Sequence, residues 1–513
     1  MTQVPIAWII AEPLRWTLTV AYVGTLCLIA TYGLHRYWLV LLFRRHWHQK
    51  SRPRQRFSQL PPVTVQIPMF NEAAVAQRII DAACRMDYPA KLLQIQVLDD
   101  SIDNCARIAR QRCEYWRRCG VNVEYRHRAT RTGFKAGALA AGMKSATGQF
   151  IAIFDADFVP PLWFLRRTIH YFTDPQIGMV QTRWVHLNRN EGLLTRGQAI
   201  FLDGHFLIEH TARNRSGTWI NFNGTAGLWR RQTISAAGGW QHDTLTEDVD
   251  LSYRAQLAGW KFLFLPQVRC PAELPPEINS FKSQQHRWTK GSIQTAIKLL
   301  PKVLVAPVSP QVKLEALFHL TSPMVYLYIT LLALMFYPAI FVNLDMIGPD
   351  AWLGVGLGLS LFVLGTISAS VFYITSQRAQ RRGLVATILQ VPLLMAIGIG
   401  IAMNNAVACI EALLGHKSPF IRTPKYGEGS ANAKCVIPIP SMKLSMCMLE
   451  IAMGFYMLEC IRLAIVIEDT VVSLPFLVLF AVGYFYVGGT SLWIHARSWW
   501  ISRQQQLIQT QPA

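Results

Sequence analysis

The hydrophobic rhythm of the chain changes twice. Residues 16–34 form a nearly unbroken apolar run, and about twenty apolar residues suffice to span a bilayer. This stretch predicts a membrane helix with its N-terminus outside. His35 and Arg36 interrupt it, "YWLVLLF" continues along the interface, and the basic cluster "RRHWHQKSRPRQR" (44–56) follows. Lys and Arg crowded directly after an apolar run mark a cytoplasmic flank. A basic cluster behind the apolar stretch, with no small-residue cleavage site, predicts an anchor and not a cleavable signal peptide.

From residue 61 to about 275 the runs shorten. "VTVQIPMF", "LLQIQVLDD", "VNVEYRH" and "QFIAIFDADF" alternate with helical segments, which predicts a parallel, doubly wound α/β sheet. Several runs end in acidic residues, where ligands collect at the carboxyl ends of strands in such sheets.

Beyond residue 313 long apolar runs return, at 314–344, 352–375, 442–467 and 474–494. "QRAQRR" and "HARSWW" would lie inside, while "NLDMIGPD" and "EDT", which lack Lys and Arg, would lie outside. With the first helix, these four runs predict five crossings and a C-terminus inside. The run 384–414 has basic residues on both sides and holds Asn404, Asn405 and Glu411, so it predicts an interfacial or re-entrant helix. Glu450, Glu459 and Arg462 would each cost roughly 2.5–3.5 kcal/mol at a lipid-exposed bilayer centre. They are expected to face a bundle interior, with Glu459 and Arg462 spaced to pair.

Composition adds little to this picture except by exclusion. The 513 residues are 51% hydrophobic and only 16% charged, as suits a chain partly in lipid. A net charge of +20 is compatible with nucleic acid, anionic lipid or an anionic substrate. No reading helix or stacking platform accompanies the charge, so nucleic acid is not an expected partner. The ten cysteines are scattered without a CxxC pair, which predicts reduced thiols in a cytosol-facing protein.

The candidate chemistry lies in the middle segment. "FDADF" sets Asp155 and Asp157 two apart after a strand, where both carboxylates can point to one side. Two hard oxygen ligands suit Mg2+ or Mn2+, completed by waters and substrate phosphates. "QVLDDS" ends a second strand with Asp99 and Asp100, able to accept from a ribose hydroxyl or a base N–H. Lys135 in "FKAGAL" is a candidate phosphate contact, and Glu247 and Asp248 in "LTEDVDL" offer a general base. In this order they describe a site for a nucleoside diphosphate, a divalent metal and a base. "SFKSQQHRWTKGS" (280–292) then sets a guanidinium beside an indole at the membrane border. Arg287 would stabilise a leaving diphosphate where negative charge grows, and Trp288 would present a flat face to a sugar ring. An amphipathic interface helix with an aromatic anchor is the other reading of this stretch.

"LDD", "DAD", "TED" and "QQHRW", in this order, resemble the D, DxD, TED and QxxRW signature of the processive, membrane-integrated members of glycosyltransferase family 2, the cellulose synthases and cellulose-synthase-like mannan and glucan synthases. "QIPMFNE", "INFNGTAGLWR" and "AGGWQHDTLTEDVDLSYRA" look most similar to the mannan and xyloglucan-backbone synthases. The resemblance implies a GT-A fold inserted in an α-helical membrane region. It divides the chain into a membrane helix and linker (1–58), a GT-A domain (59–275), interface helices with the QxxRW motif (276–312) and a membrane region (313–513). It implies that Pro68, Glu72, Asp99 or Asp100 and Gln284 hold the donor, Lys135 the diphosphate, and Asp155 and Asp157 the metal. Asp248, beside Glu247, would be the base of an inverting displacement. Gln181, Trp184, Asn223, Gly224, Thr225 and Trp288 would face the acceptor, and Arg287 the leaving group. "PFIRTPKYG" resembles the family's FxVTxK gating loop, near 416–428, with Phe420, Thr423 and Lys425 at that spacing and Arg422 in place of valine.

The activity so implied is polymerisation of a β-1,4-linked hexose from UDP-glucose or GDP-mannose, with export of the polymer. The protein would be multi-pass in the plasma or inner membrane, its catalytic domain cytosolic. Buried charges such as Glu450 would line a polysaccharide channel or lock helices together. Partners would be the nucleotide sugar, the growing polysaccharide, the bilayer, and accessory export proteins or a second copy. A lipid glycosyltransferase moving one sugar onto diacylglycerol or polyprenyl phosphate would use the same donor site. A transporter or receptor with a degenerate nucleotide domain would have lost a carboxylate or the arginine, and this chain keeps both.

Overall fold

A computed structural model describes residues 12–342, 351–418, 423–425, 427, 443–466 and 473–509. Its centre is a seven-stranded sheet: β1 (Val63–Met69), β2 (Leu93–Asp99), β3 (Val123–His127), β4 (Phe150–Ile153), β5 (Ile177–His186), β6 (Gly227–Arg230) and β7 (Lys261–Ala272), in the order β3-β2-β1-β4-β6-β5-β7. Strands β1 to β4 are parallel, as are β5 and β7, but β6 runs antiparallel to both β4 and β5. The sheet is therefore mixed, not fully parallel as the alternation predicts. A four-residue strand carries no directional signal of its own.

The period-2 pattern of β1 and β2 has a packing reason. Val63, Val65 and Ile67 face one buried core with Ile95 and Val97. The opposite face is also covered, and there polar side chains hydrogen-bond one another, with Gln66 Oε1 left without a partner among the described residues. Thr64 Oγ1 donates to Gln94 Oε1 (2.8 Å), and Gln66 Nε2 to Gln96 Oε1 (3.0 Å). Gln96 in turn donates to Ser145 Oγ (2.9 Å). Leaving one such buried group unpaired would cost about 1–3 kcal/mol. Gly142 lets its helix approach this ladder, since a Cβ there would stand 2.6 Å from Gln66 Nε2.

Among the described residues two helices are long and apolar enough to cross a membrane, within Trp16–His46 and Leu474–Trp500. Up to four spans result if each of two bent pairs counts as one. The expected single run 314–344 is one such pair, Pro310–Thr321 and Met324–Ala339, bent by 56°. The run 384–414 is the other, Leu384–Gly400 and Ala402–Leu413, bent by 42°. Leu384–Gly400 packs closely on the C-terminal helix Leu474–Gln509, where a Cβ on Gly400 would meet Gly483 O at 2.3 Å. Small residues allow such close backbone approach.

The ionisable residues of Leu444–Val466 behave in two ways. Glu450 is fully buried against Lys282 of the interface helix Ile278–Val305 (2.6 Å). It locks two helices together. Glu459 and Arg462 do not face the interior as expected: they pair with each other (Nε to Oε2, 2.8 Å) on the outer surface. At 3.6 residues per turn, nine residues carry the chain about half a turn round, so Glu450 and Glu459 point opposite ways.

Candidate active site

A cleft open to solvent lies at the carboxyl ends of β1, β2 and β4 under the helix Ile278–Val305. β1 delivers Pro68 and Glu72, β2 Asp100, and β4 Asp155 and Asp157. Glu247 and Asp248 open the helix Glu247–Leu257, where the N-terminal dipole favours carboxylates. Gln284, Arg287 and Trp288 descend from the helix Ile278–Val305, and Thr423 and Lys425 also line the cleft. Lys135, Trp184, Asn223 and Gly224 complete the lining among the residues expected from sequence.

Three expected residues stand behind the wall. Asp99 is fully buried and accepts from Tyr125 OH (2.7 Å) and Ser101 N (2.9 Å). Of the two aspartates, Asp100 is the one at the cleft, held by Arg128 Nε (2.7 Å). Gln181 is buried, with its Oε1 accepting from Asn223 N (3.0 Å). Thr225 Oγ1 accepts from Asp155 N (2.9 Å). These side chains fix the loop "NGT" and the "DAD" turn. Phe420 and Arg422 lie outside the described residues.

Charges around the cleft are paired in detail. Lys135 Nζ donates to Asp155 Oδ1 (2.5 Å) and to Gly224 O (2.9 Å). Lys425 Nζ meets Asp157 Oδ2 at 2.6 Å. Burial lowers the Lys135 pKa, but Asp155 and Glu247 outweigh it and leave the group raised. Burial also raises Asp248, and the neighbouring Glu247 charge adds to this, bringing it to about 7. Such a carboxylate can take a proton near neutrality. Burial lowers Arg287 against the opposing pull of Glu247, Asp155 and Asp248. Gly224 sits at φ +79, and a Cβ there would approach Asp248 Oδ2 to 3.0 Å. A left-handed, side-chain-free residue is needed at that contact.

The donor set fits a divalent ion. Asp155 and Asp157 are hard oxygen donors, and each now accepts a lysine ammonium. Among the described residues no group of three or more His, Cys, Asp or Glu side chains forms a metal cage. Two carboxylates with substrate phosphates suffice for Mg2+-type coordination.

Sequence reasoning missed several neighbours. Glu273 lines the cleft, pairs with Arg78 (2.5 Å) and accepts from Gly427 N (3.2 Å). Arg131 stacks its guanidinium 3.5 Å from the Phe70 ring centroid. His205, within the π-helical segment Gly204–His210, joins Glu209 (2.8 Å) to Asn223 Nδ2 (2.8 Å). If Glu209 accepts from Nδ1–H, Nε2 is left to accept from Asn223, and the Asn223 carbonyl is free to turn towards the cleft. A π-turn often marks a functional position, but nothing in the linear text announces one.

Residues 61–291 match the model of the glycosyltransferase like family 2. This segment is similar to that family. It holds every strand of the sheet and ends just past "QQHRW". The chain is 43% identical over 254 residues to the probable glucomannan 4-beta-mannosyltransferase 6 of Oryza sativa subsp. japonica, a match covering 48% of this chain and 44% of that protein. It is 43% identical over 252 residues to the glucomannan 4-beta-mannosyltransferase 2 of Arabidopsis thaliana, covering 48% and 47%. The chain thus spans about half the length of the curated relatives it matches. Among solved structures, a mannosyltransferase, PcManGT from Pyrobaculum calidifontis, in complex with GDP-Man and Mn2+, superposes with a TM-score of 0.51 at 19% identity, covering 79% of this chain and 99% of that one. That likeness bears on the fold, which is of the GT-A type.

Proposed function

We propose that the protein elongates a β-1,4-linked mannan or glucomannan, taking mannose from GDP-mannose and inverting the anomeric carbon. The observation that supports this most is that a buried carboxylate of near-neutral pKa, a DxD pair, a lysine and an arginine meet in one cleft, within a segment similar to glucomannan mannosyltransferases. Asp155 and Asp157 would hold Mg2+ or Mn2+, which when bound neutralises diphosphate charge. Asp248 takes the proton of the acceptor hydroxyl as its oxygen bonds to the donor C1. The C1–O bond to the diphosphate breaks, and the bonding pair leaves on the phosphate. Arg287 and Lys135 stabilise that charge. Trp288 carries the terminal sugar and Asn223 orients it.

The reaction is processive, with the catalytic domain cytosolic and the polymer leaving through a multi-pass membrane region. The first experiment incubates full-length protein in nanodiscs with Mg2+ or Mn2+ and radiolabelled GDP-mannose or UDP-glucose, separately. Ethanol-insoluble label released by β-mannanase supports the proposal. Insoluble label only from UDP-glucose, released by β-glucanase, changes the donor. Label only in chloroform makes the protein a lipid glycosyltransferase.

A further inference from the structure

Four residues that line the cleft carry buried polar atoms that find no protein partner among the described residues. The atoms are Trp184 Nε1, both ring nitrogens of His186, Asn223 Oδ1 and Thr423 Oγ1. Buried polar atoms are nearly always paired, so this concentration in one cavity asks for a ligand rich in hydroxyl groups. His186 is the member with no role in the site as described so far.

Its position follows from the sheet. Trp184 and His186 are two apart on β5, so their side chains leave the same face. In register with β7 they lie opposite Cys270 and Ala272, and Ala272 also bridges to Phe158, the residue after "DAD". His186 is thus one strand away from the metal-binding turn. Its acidic neighbour is already committed: Asp203 binds Arg189 (2.6 Å), Arg183 (3.2 Å) and Gln377 (3.1 Å). Burial comes first in keeping the imidazole neutral, to about 4, with Arg189 and Arg183 adding to the effect against Asp203. A neutral imidazole offers one donor and one acceptor. Phe158 packs edge-on to Trp184 (centroids 5.2 Å apart), so an aromatic surface stands beside this part of the cleft.

We propose that His186 is a sugar-recognition residue on the acceptor side of the cleft, binding hydroxyl groups of a neutral hexopyranose in the growing chain beside the indole of Trp184. The assignment rests on the proposed glycan elongation and says which part of the cleft reads the acceptor. The competing account is a resident water that bridges the imidazole to the protein, with His186 there only for packing.

The test uses full-length protein in nanodiscs with GDP and Mn2+, titrated with β-1,4-mannotetraose and with cellotetraose. His186→Phe keeps the ring and removes both polar atoms, and His186→Asn restores a donor and an acceptor. The expected result is about tenfold weaker tetraose binding for His186→Phe, partial recovery for His186→Asn, and unchanged GDP affinity. Equal tetraose affinity in wild type and His186→Phe overturns the assignment. So does a joint loss of GDP and tetraose binding, or a wild type that binds neither tetraose. Because binding is read without turnover, a failed polymer assay with His186-dependent tetraose binding would sink the elongation reading and leave the sugar site standing.

Discussion

Two sets of residues around the cleft follow opposite electrostatic plans. In one, Lys135, Lys425 and Arg128 each already hold an aspartate. In the other, Trp184 and His186 present buried polar atoms without protein partners among the described residues. Unpaired buried charge is costly, so a site for a charged ligand must keep its cations occupied until that ligand arrives. Were a divalent ion to bind Asp155 and Asp157, Lys135 and Lys425 would be released to meet phosphate oxygens. A neutral hydroxyl needs no such exchange. Orphaned dipoles cost far less than orphaned charges and can wait.

The largest expected effect is at the proposed base. Asp248→Asn should lower kcat by about a thousandfold or more, with GDP-mannose affinity within about twofold of wild type in calorimetry. Binding lost together with turnover would make Asp248 a donor ligand. Its raised pKa keeps the wild-type carboxyl protonated below about 7, so kcat/KM should rise with pH and level off above that value. A limb at about 4, the ordinary carboxylate range, would contradict the environment described for it.

Among the charged residues, Arg287→Ala should cost about a hundred- to a thousandfold in kcat, measured at saturating donor. A change confined to acceptor KM would move Arg287 to the other set. Gly224→Ala bears on the contact with Asp248. It places a Cβ 3.0 Å from Asp248 Oδ2 at φ +79, and about tenfold lower kcat is expected from roughly 1–2 kcal/mol of strain. The smallest effect belongs to the aromatic set. Trp184→Phe removes one N–H and should raise acceptor KM about three- to tenfold with kcat unchanged; an unchanged KM would mean that Nε1 meets no sugar.

The charged residues stood out in the sequence as motifs, whereas on the aromatic side Trp184 was named only through the family resemblance and His186 was not named at all. "DAD", "TED" and "QQHRW" are short, linear and chemically conspicuous against apolar surroundings. Glu450 also stood out, but its partner Lys282 lies 168 residues away. His186 is a lone histidine at the end of a strand, and what isolates it is Asp203 being spent on two arginines. Such facts exist only after folding. The same holds for the choice between Asp99 and Asp100: adjacent residues on a strand point to opposite faces, and Tyr125 on the neighbouring strand claims the first. The antiparallel β6 was invisible for a related reason, since its direction depends on both neighbours.

The interface helix Ile278–Val305 carries Arg287 and Trp288 into the cleft while Lys282 and Lys290, both fully buried, reach Glu450 and Glu411 in the membrane region. The family match ends at residue 291, within this helix. A soluble fragment cut at that boundary would therefore keep Asp248, Arg287 and Trp288 but hold two ammonium groups without the Glu450 and Glu411 carboxylates. Its helix would have every reason to unwind into water, and the fragment would fold its sheet yet lose the roof of its site. Biochemistry on this protein belongs with the whole chain.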